Sequence, residues 1–314
     1  MAGPQQRGIK MTACSYPAAR IILMGVALVF GGFASAQDED IPPLKPYQAA
    51  LDNYKNREKL GRKIFQGIPA TFSDRPWQVG LMVHAISDPM YAHYCGGVLI
   101  DSTTVLTSAH CVSEGQTAGD IDILAATDDL TAAGQRIGVS VICIHEDYVP
   151  STHANDIAKL VLGGAITSPA VPIKQLASKA DIKKGSNVTV SGWGNIYDWG
   201  LKSEKLLKIV IPIQSQKLCN AKDAYGGRVL GDMFCAGKAE GGMDACNGDS
   251  GGPATLGDGA NAHLAGLVSW ARIKSCGLAK VYGVYTNVPV LSGWIDTPIV
   301  SDSKGQQPNP KGCK

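Results

Sequence analysis

Asp244-Ala245-Cys246-Asn247-Gly248-Asp249-Ser250-Gly251-Gly252-Pro253 is the stretch on which the reading of this chain turns. A serine after Gly-Asp and before Gly-Gly-Pro sits on a tight turn that only glycine-rich backbone can follow. Such a turn leaves the hydroxyl exposed and aims neighbouring backbone N–H groups into the same space. That is what a nucleophile beside an oxyanion-binding site needs. A bare Gly-Asp-Ser would read as a surface turn, so its partners decide the matter.

Two other stretches supply them. A nucleophilic serine needs a base in hydrogen-bond reach, and the base needs a carboxylate to fix its tautomer. Leu106-Thr107-Ser108-Ala109-His110-Cys111 places a histidine after a β-rich run, and Asn155-Asp156-Ile157-Ala158-Lys159-Leu160 places an aspartate at the head of an apolar strand. The order His110, Asp156, Ser250, each in its local setting, resembles the chymotrypsin-like (trypsin) serine proteases. The resemblance runs from about Ile64 to Val300. It is densest around these three segments and the Cys219–Cys246 region.

Working outward, short alternating apolar runs are broken by Gly, Asp, Ser and Pro, the pattern of antiparallel β-structure. One set comprises 79–86, 97–100, 103–107, 137–144 and 157–162. A second comprises 187–192, 206–213, 264–270 and 281–288. The polar, Pro-bearing stretch 167–184 separates them. The expected fold is all-β: two antiparallel six-stranded barrels of chymotrypsin-like form, at about 64–170 and 185–288. The catalytic segments meet at their seam, and a C-terminal helix lies around 290–295.

The ends read differently. Residues 1–36 carry Arg7, Lys10 and Arg20, a short apolar run from Ile21 to Phe33, and the small residues Ala34-Ser35-Ala36. This is the pattern of a cleaved export signal, with an apolar run too short to span a bilayer comfortably. Residues 37–63 are polar and Pro-containing and read as a propeptide or linker rather than core. They end at Arg62-Lys63, a tryptic-type cleavage site ahead of Ile64. The resemblance implies that the new ammonium on Ile64 then pairs with Asp249. The family usually has Ile-Val-Gly-Gly at that point, whereas this chain has Ile64-Phe65-Gln66-Gly67. Residues 301–314 form a polar tail.

Nine cysteines in a chain marked for export point to disulfides. The resemblance pairs Cys95 with Cys111, Cys219 with Cys235, and Cys246 with Cys276. Cys14 leaves with the signal. Cys143 and Cys313 remain, either paired so as to pin the tail to the first barrel or left as two thiols.

The resemblance also assigns roles. His110 is the general base and acid, Asp156 its orienting carboxylate, and Ser250 the nucleophile, with the N–H groups of Gly248 and Ser250 forming the oxyanion hole. Asp244 lies at the base of the primary pocket and selects Arg or Lys, since a buried carboxylate needs a cationic partner. Ser269-Trp270-Ala271 form the strand that pairs with substrate, with Ala271 replacing the more usual glycine, and Gly283 leaves the pocket open. The family's calcium loop is not recognisable in 120–134. Asp122, Asp128 and Asp129 there read as solvated, so neither a required metal nor a cofactor is expected.

A net charge of +2 excludes a nucleic-acid footprint. The expected protein is a secreted monomer, extracellular or periplasmic, that cleaves proteins and is subject to protein inhibitors. The alternatives are a non-catalytic binding relative, which would normally lack a triad residue, and a protease of other specificity, for which Asp244 discriminates.

Overall fold

The computed structural model describes residues 45–55, 67–173, 176–195, 202–242, 245, 247–272, 278–299 and 313. The signal-like stretch 1–36, the Lys63–Ile64 bond, Asp244, Cys246 and Cys276 lie outside them.

The first described element is the helix α1 (Pro46–Lys55), where the sequence suggests a polar linker. The reason is a period that the charged surroundings conceal. Tyr47, Ala50, Leu51 and Tyr54 recur at helical spacing and form one apolar stripe. Ala50 is buried, and the other three pack against the core of the first barrel. After α1 comes the two-residue strand β1 (Ile68–Pro69).

The first barrel follows. Its strands are β2 (Gln78–Val83), β3 (His93–Asp101), β4 (Thr104–Thr107), β5 (Ile121–Ala125), β6 (Gln135–Ile144) and β7 (Ala158–Leu162), with the one-turn helix α2 (Pro89–Ala92) before β3. They close in the order β2-β3-β4-β7-β6-β5. Closure satisfies every strand edge, and the interior fills with side chains such as Leu81, Val98, Leu106, Ile123, Ile142 and Leu160.

The second half has β8 (Asn187–Gly192), β9 (Leu207–Pro212), the one-turn helix α3 (Gln216–Cys219), β10 (Met233–Ala236), β11 (Pro253–Leu256), β12 (His263–Trp270), β13 (Gly283–Asn287) and α4 (Ser292–Ile295). Its sheet runs β1-β9-β8-β11-β12-β13-β10. β10 returns to the end of β9 through the Ile213–Ala236 bridge, so six strands curl nearly onto themselves. β1 is a short addition to β9, pairing Ile68 with Lys208. The core of this half contains Val188, Val190, Ile211, Phe234, Ala254 and Tyr285. The chain is therefore mostly β, with one closed antiparallel barrel, a second antiparallel sheet curled into a half-barrel, and a C-terminal helix of one turn.

Disulfides join Cys95 to Cys111, Cys219 to Cys235 and Cys143 to Cys313. The last holds residue 313 against β6, where Val141 and Ile299 complete a small apolar cluster. The Cys246–Cys276 pairing falls outside the described residues.

Candidate active site

Each site segment leaves a strand end at the seam. β4 runs into a single 3-10 turn, Ala109–Cys111, that carries His110. The Cys95–Cys111 bond ties that turn to β3. Asp156 precedes β7, which pairs with β4, with Thr107 opposite Ala158. The ladder thus sets the distance between acid and base.

The Asp156 carboxylate is buried and its hydrogen bonds are many. Oδ1 accepts from the His110 backbone N–H at 2.9 Å, and Oδ2 accepts from His110 Nδ1 at 2.8 Å. The Ser269 hydroxyl, from β12 of the other barrel, donates to Oδ2 at 2.5 Å. Thr286 donates to the Asp156 carbonyl at 2.7 Å. Burial by itself would raise this carboxyl, but the facing His110 ring, its hydrogen bond and that of Ser269 hold it below the ordinary value. With Nδ1 committed to the carboxylate, His110 keeps Nε2 for proton transfer.

Ser250 lies between β10 and β11 and is half-buried. Its carbonyl accepts from Gly96 N on β3 at 2.7 Å, while Gly251 N donates to Val268 O on β12 at 2.7 Å. The Ser250 turn is therefore stitched to both barrels. Gly251 has φ +77, and a Cβ there would meet Thr107 Oγ1 at 2.1 Å and Gly96 O at 2.6 Å. Only glycine fits. Gly248, at φ +96, also holds the left-handed conformation that favours glycine. Asp249 Oδ1 accepts from Gly194 N at 2.8 Å.

Among the described residues no hydrogen bond joins the Ser250 hydroxyl to His110. His110 Nε2 lies 3.8 Å from Cys111 Sγ. The His110–Asp156 pair is assembled, and Ser250 stands at the same seam without a hydrogen bond to it.

Ser269 and Trp270 close β12, Ala271 follows, and Gly283 opens β13, where Trp270 pairs with Val284. The Ser269 side chain turns inward to Asp156. Asp244 falls outside the described residues.

Sequence reasoning missed His153. Its ring sits edge-on to His110 at 5.7 Å and stacks on Trp270 at 6.3 Å. Its Nδ1 is 4.0 Å from Asp156 Oδ2, and neither ring nitrogen has a hydrogen-bond partner. Burial pushes its pKa down to about 4 despite the attraction of Asp156. A histidine three residues before the acid was the available signal, and the left-handed backbone at His153 and Asn155 swings it inward.

His110, His153 and Asp156 bring potential ligand atoms within 4.8 Å of one another. The bond between His110 and Asp156 already uses the ligand pair, which suits proton transfer better than metal binding. The four acids of the 120–134 stretch have protein partners: Asp120 with Thr117, Asp122 with Arg136 and His84, Asp128 with Phe72 N, and Asp129 with Lys205.

Two antiparallel barrels with a histidine, an aspartate and a serine gathered at their seam define the chymotrypsin-like class of serine hydrolases. The family model "Trypsin" matches residues 64–295. The chain is 36% identical over 252 residues to trypsin zeta of Drosophila erecta, covering 74% of this chain and 84% of that protein. It is 38% identical over 239 residues to trypsin Blo t 3 of Blomia tropicalis (74% and 84%). To trypsin 5G1 of Aedes aegypti it is 32% identical over 278 residues (88% and 97%). The chain belongs to the trypsin family and is a trypsin-like serine protease, a hydrolase acting on proteins. Among the described residues no helix is long and apolar enough to cross a membrane.

Proposed function

We propose that this chain is an exported zymogen of a serine endopeptidase that cleaves after Arg and Lys. The observation that carries the reading is the buried Asp156 carboxylate, bonded to His110 and to Ser269 from the opposite barrel and set beside the Ser250 turn.

In the processed enzyme, Ser250 Oγ attacks the scissile carbonyl carbon while His110 Nε2 takes its proton. The N–H groups of Gly248 and Ser250 receive the oxyanion, each such donor lowering the barrier by about 3 kcal/mol. His110 then gives its proton to the leaving amine, the C–N bond breaks, and an acyl-enzyme forms. Water, deprotonated by the same imidazole, hydrolyses that ester and restores Ser250. Asp156 keeps the tautomer and stabilises the imidazolium.

Asp244 at the pocket base selects the cationic side chain, and Ser269, Trp270 and Ala271 hold the substrate backbone beside the opening left by Gly283. Cleavage after Lys63 frees the Ile64 ammonium to pair with Asp249, and the family match beginning at Ile64 supports that boundary. Formation of this pair pulls the Ser250 turn into register with His110. The three observed disulfides suit an oxidising compartment, in keeping with residues 1–36 as an export signal. The processed protease is a monomer open to protein inhibitors.

The test is to cleave purified protein after Lys63 and offer arginyl, lysyl, phenylalanyl and glutamyl chromogenic peptides, with a serine-directed phosphonate as control. Turnover of the first two is expected. Asp244→Ser should lose at least a hundredfold in kcat/KM on them while Ser250 remains labelled. Phosphonate labelling without arginyl or lysyl turnover would reject the specificity, and no labelling would reject catalysis.

A further inference from the structure

The helix α1 lies on the amino side of the Lys63 cleavage point, yet it is built into the catalytic barrel. Tyr47 meets Tyr94 of β3 edge-on with ring centroids 5.3 Å apart, and Tyr54 meets Tyr91 of α2 at 5.9 Å. Ala50, on the same face, is buried. The first-turn N–H groups of Tyr47 and Gln48 donate to the two oxygens of Glu114, at 2.9 and 3.2 Å. Glu114 thus supplies from the barrel the cap that the helix's own sequence lacks, at the end where the dipole favours a carboxylate. A ten-residue helix is marginal by itself in water, so α1 owes its existence to this seat.

The location of the seat matters. α1 packs against β3 and against the 3-10 turn that bears His110. Tyr94 is two residues from Gly96, whose N–H holds the Ser250 carbonyl. His110 delivers its proton to the leaving amine, and α1 covers the strand and the turn that hold His110 in place.

We propose that α1 stays seated on Tyr91, Tyr94 and Glu114 after cleavage at Lys63. There it obstructs the leaving-group side of the site, and its release is a second activation step. This rests on the proteolytic function proposed above. The seat recognises an amphipathic helix with two tyrosines seven residues apart and a free N-terminal turn. Loss of the 37–63 fragment opens the cleft to substrates extending beyond the scissile bond. Short substrates that end in an anilide never reach the covered side.

The experiment compares the processed parent with Tyr47→Ala/Tyr54→Ala and, from the barrel side, Glu114→Ala. Gel filtration with intact-mass measurement reads fragment retention. Hydrolysis of an internally quenched peptide spanning both sides of the scissile bond is divided by hydrolysis of an arginyl anilide. The parent should retain the fragment, and both variants should shed it with the ratio rising about tenfold at unchanged anilide turnover. A synthetic Pro46–Lys55 peptide added to the stripped enzyme should reverse the rise. Loss of the fragment from the parent, or a ratio equal in all forms, overturns the proposal. Failure of the proteolytic reading shows itself differently, as no anilide hydrolysis by any form. In that case retention by mass still supports the seat and release still rejects it.

Discussion

The two sides of the seam are built on different principles. On the base side, His110 and Asp156 are buried, and the carboxylate has partners from the His110 turn and from β12 across the seam. On the nucleophile side, Ser250 is half-buried on a turn held by backbone bonds to Gly96 and Val268, with left-handed glycines at 248 and 251. The His110–Asp156 pair is fully bonded, whereas among the described residues Ser250 makes no hydrogen bond to His110. The burial of the bonded His110–Asp156 pair is completed by the fold, whereas the Ser250 turn is glycine-rich and half-buried.

The comparison breaks most visibly at the base. Asp156→Asn should preserve the fold but supply the wrong hydrogen-bond partner for the working tautomer, lowering kcat by about four orders of magnitude. Steady-state kinetics on processed protein checks this, and a loss under tenfold would mean that the carboxylate is only structural.

On the nucleophile side, Gly251→Ala puts a methyl group where Thr107 Oγ1 and Gly96 O already stand, at a φ that disfavours any side chain. Destabilisation of at least about 2 kcal/mol is expected, measured by denaturant unfolding. Activity should fall as the two barrels are pushed apart. An unchanged midpoint would show that the seam yields more easily than its contacts imply.

His153 sharpens the comparison on the base side at smaller cost. Its folded pKa of about 4 lies below the ordinary histidine value, so the unfolded chain binds the extra proton first. The linked stability is fully present above about pH 6.5 and is lost as pH falls toward 4, by on the order of 3 kcal/mol. His153→Gln should flatten that part of the melting-temperature profile. A profile identical to the parent's would place His153 in contact with solvent.

The strands that were hard to read explain themselves. β5 (Ile121–Ala125) is short and its acid Asp122 interrupts the alternation; that acid is inside because Arg136 and His84 meet it. β11 (Pro253–Leu256) is four residues behind a glycine run, a strand only because β8 and β12 flank it. α1 was concealed by composition. Its ten residues average polar, and the stripe of Tyr47, Ala50, Leu51 and Tyr54 acquires meaning only when Tyr91 and Tyr94 receive it.

The identities of His110, Asp156 and Ser250, their order, and the alternating runs that make two barrels were all legible in the linear chain. Each depends on local chemistry: a glycine turn, a base type, a period of two. Only the folded molecule could decide that Ser269 reaches across to Asp156, that His153 lies against His110, and that Cys143 meets Cys313. It alone seated α1 on the first barrel. Those pairings join residues far apart in sequence, and no local preference encodes which distant surface a side chain will find once the barrels close.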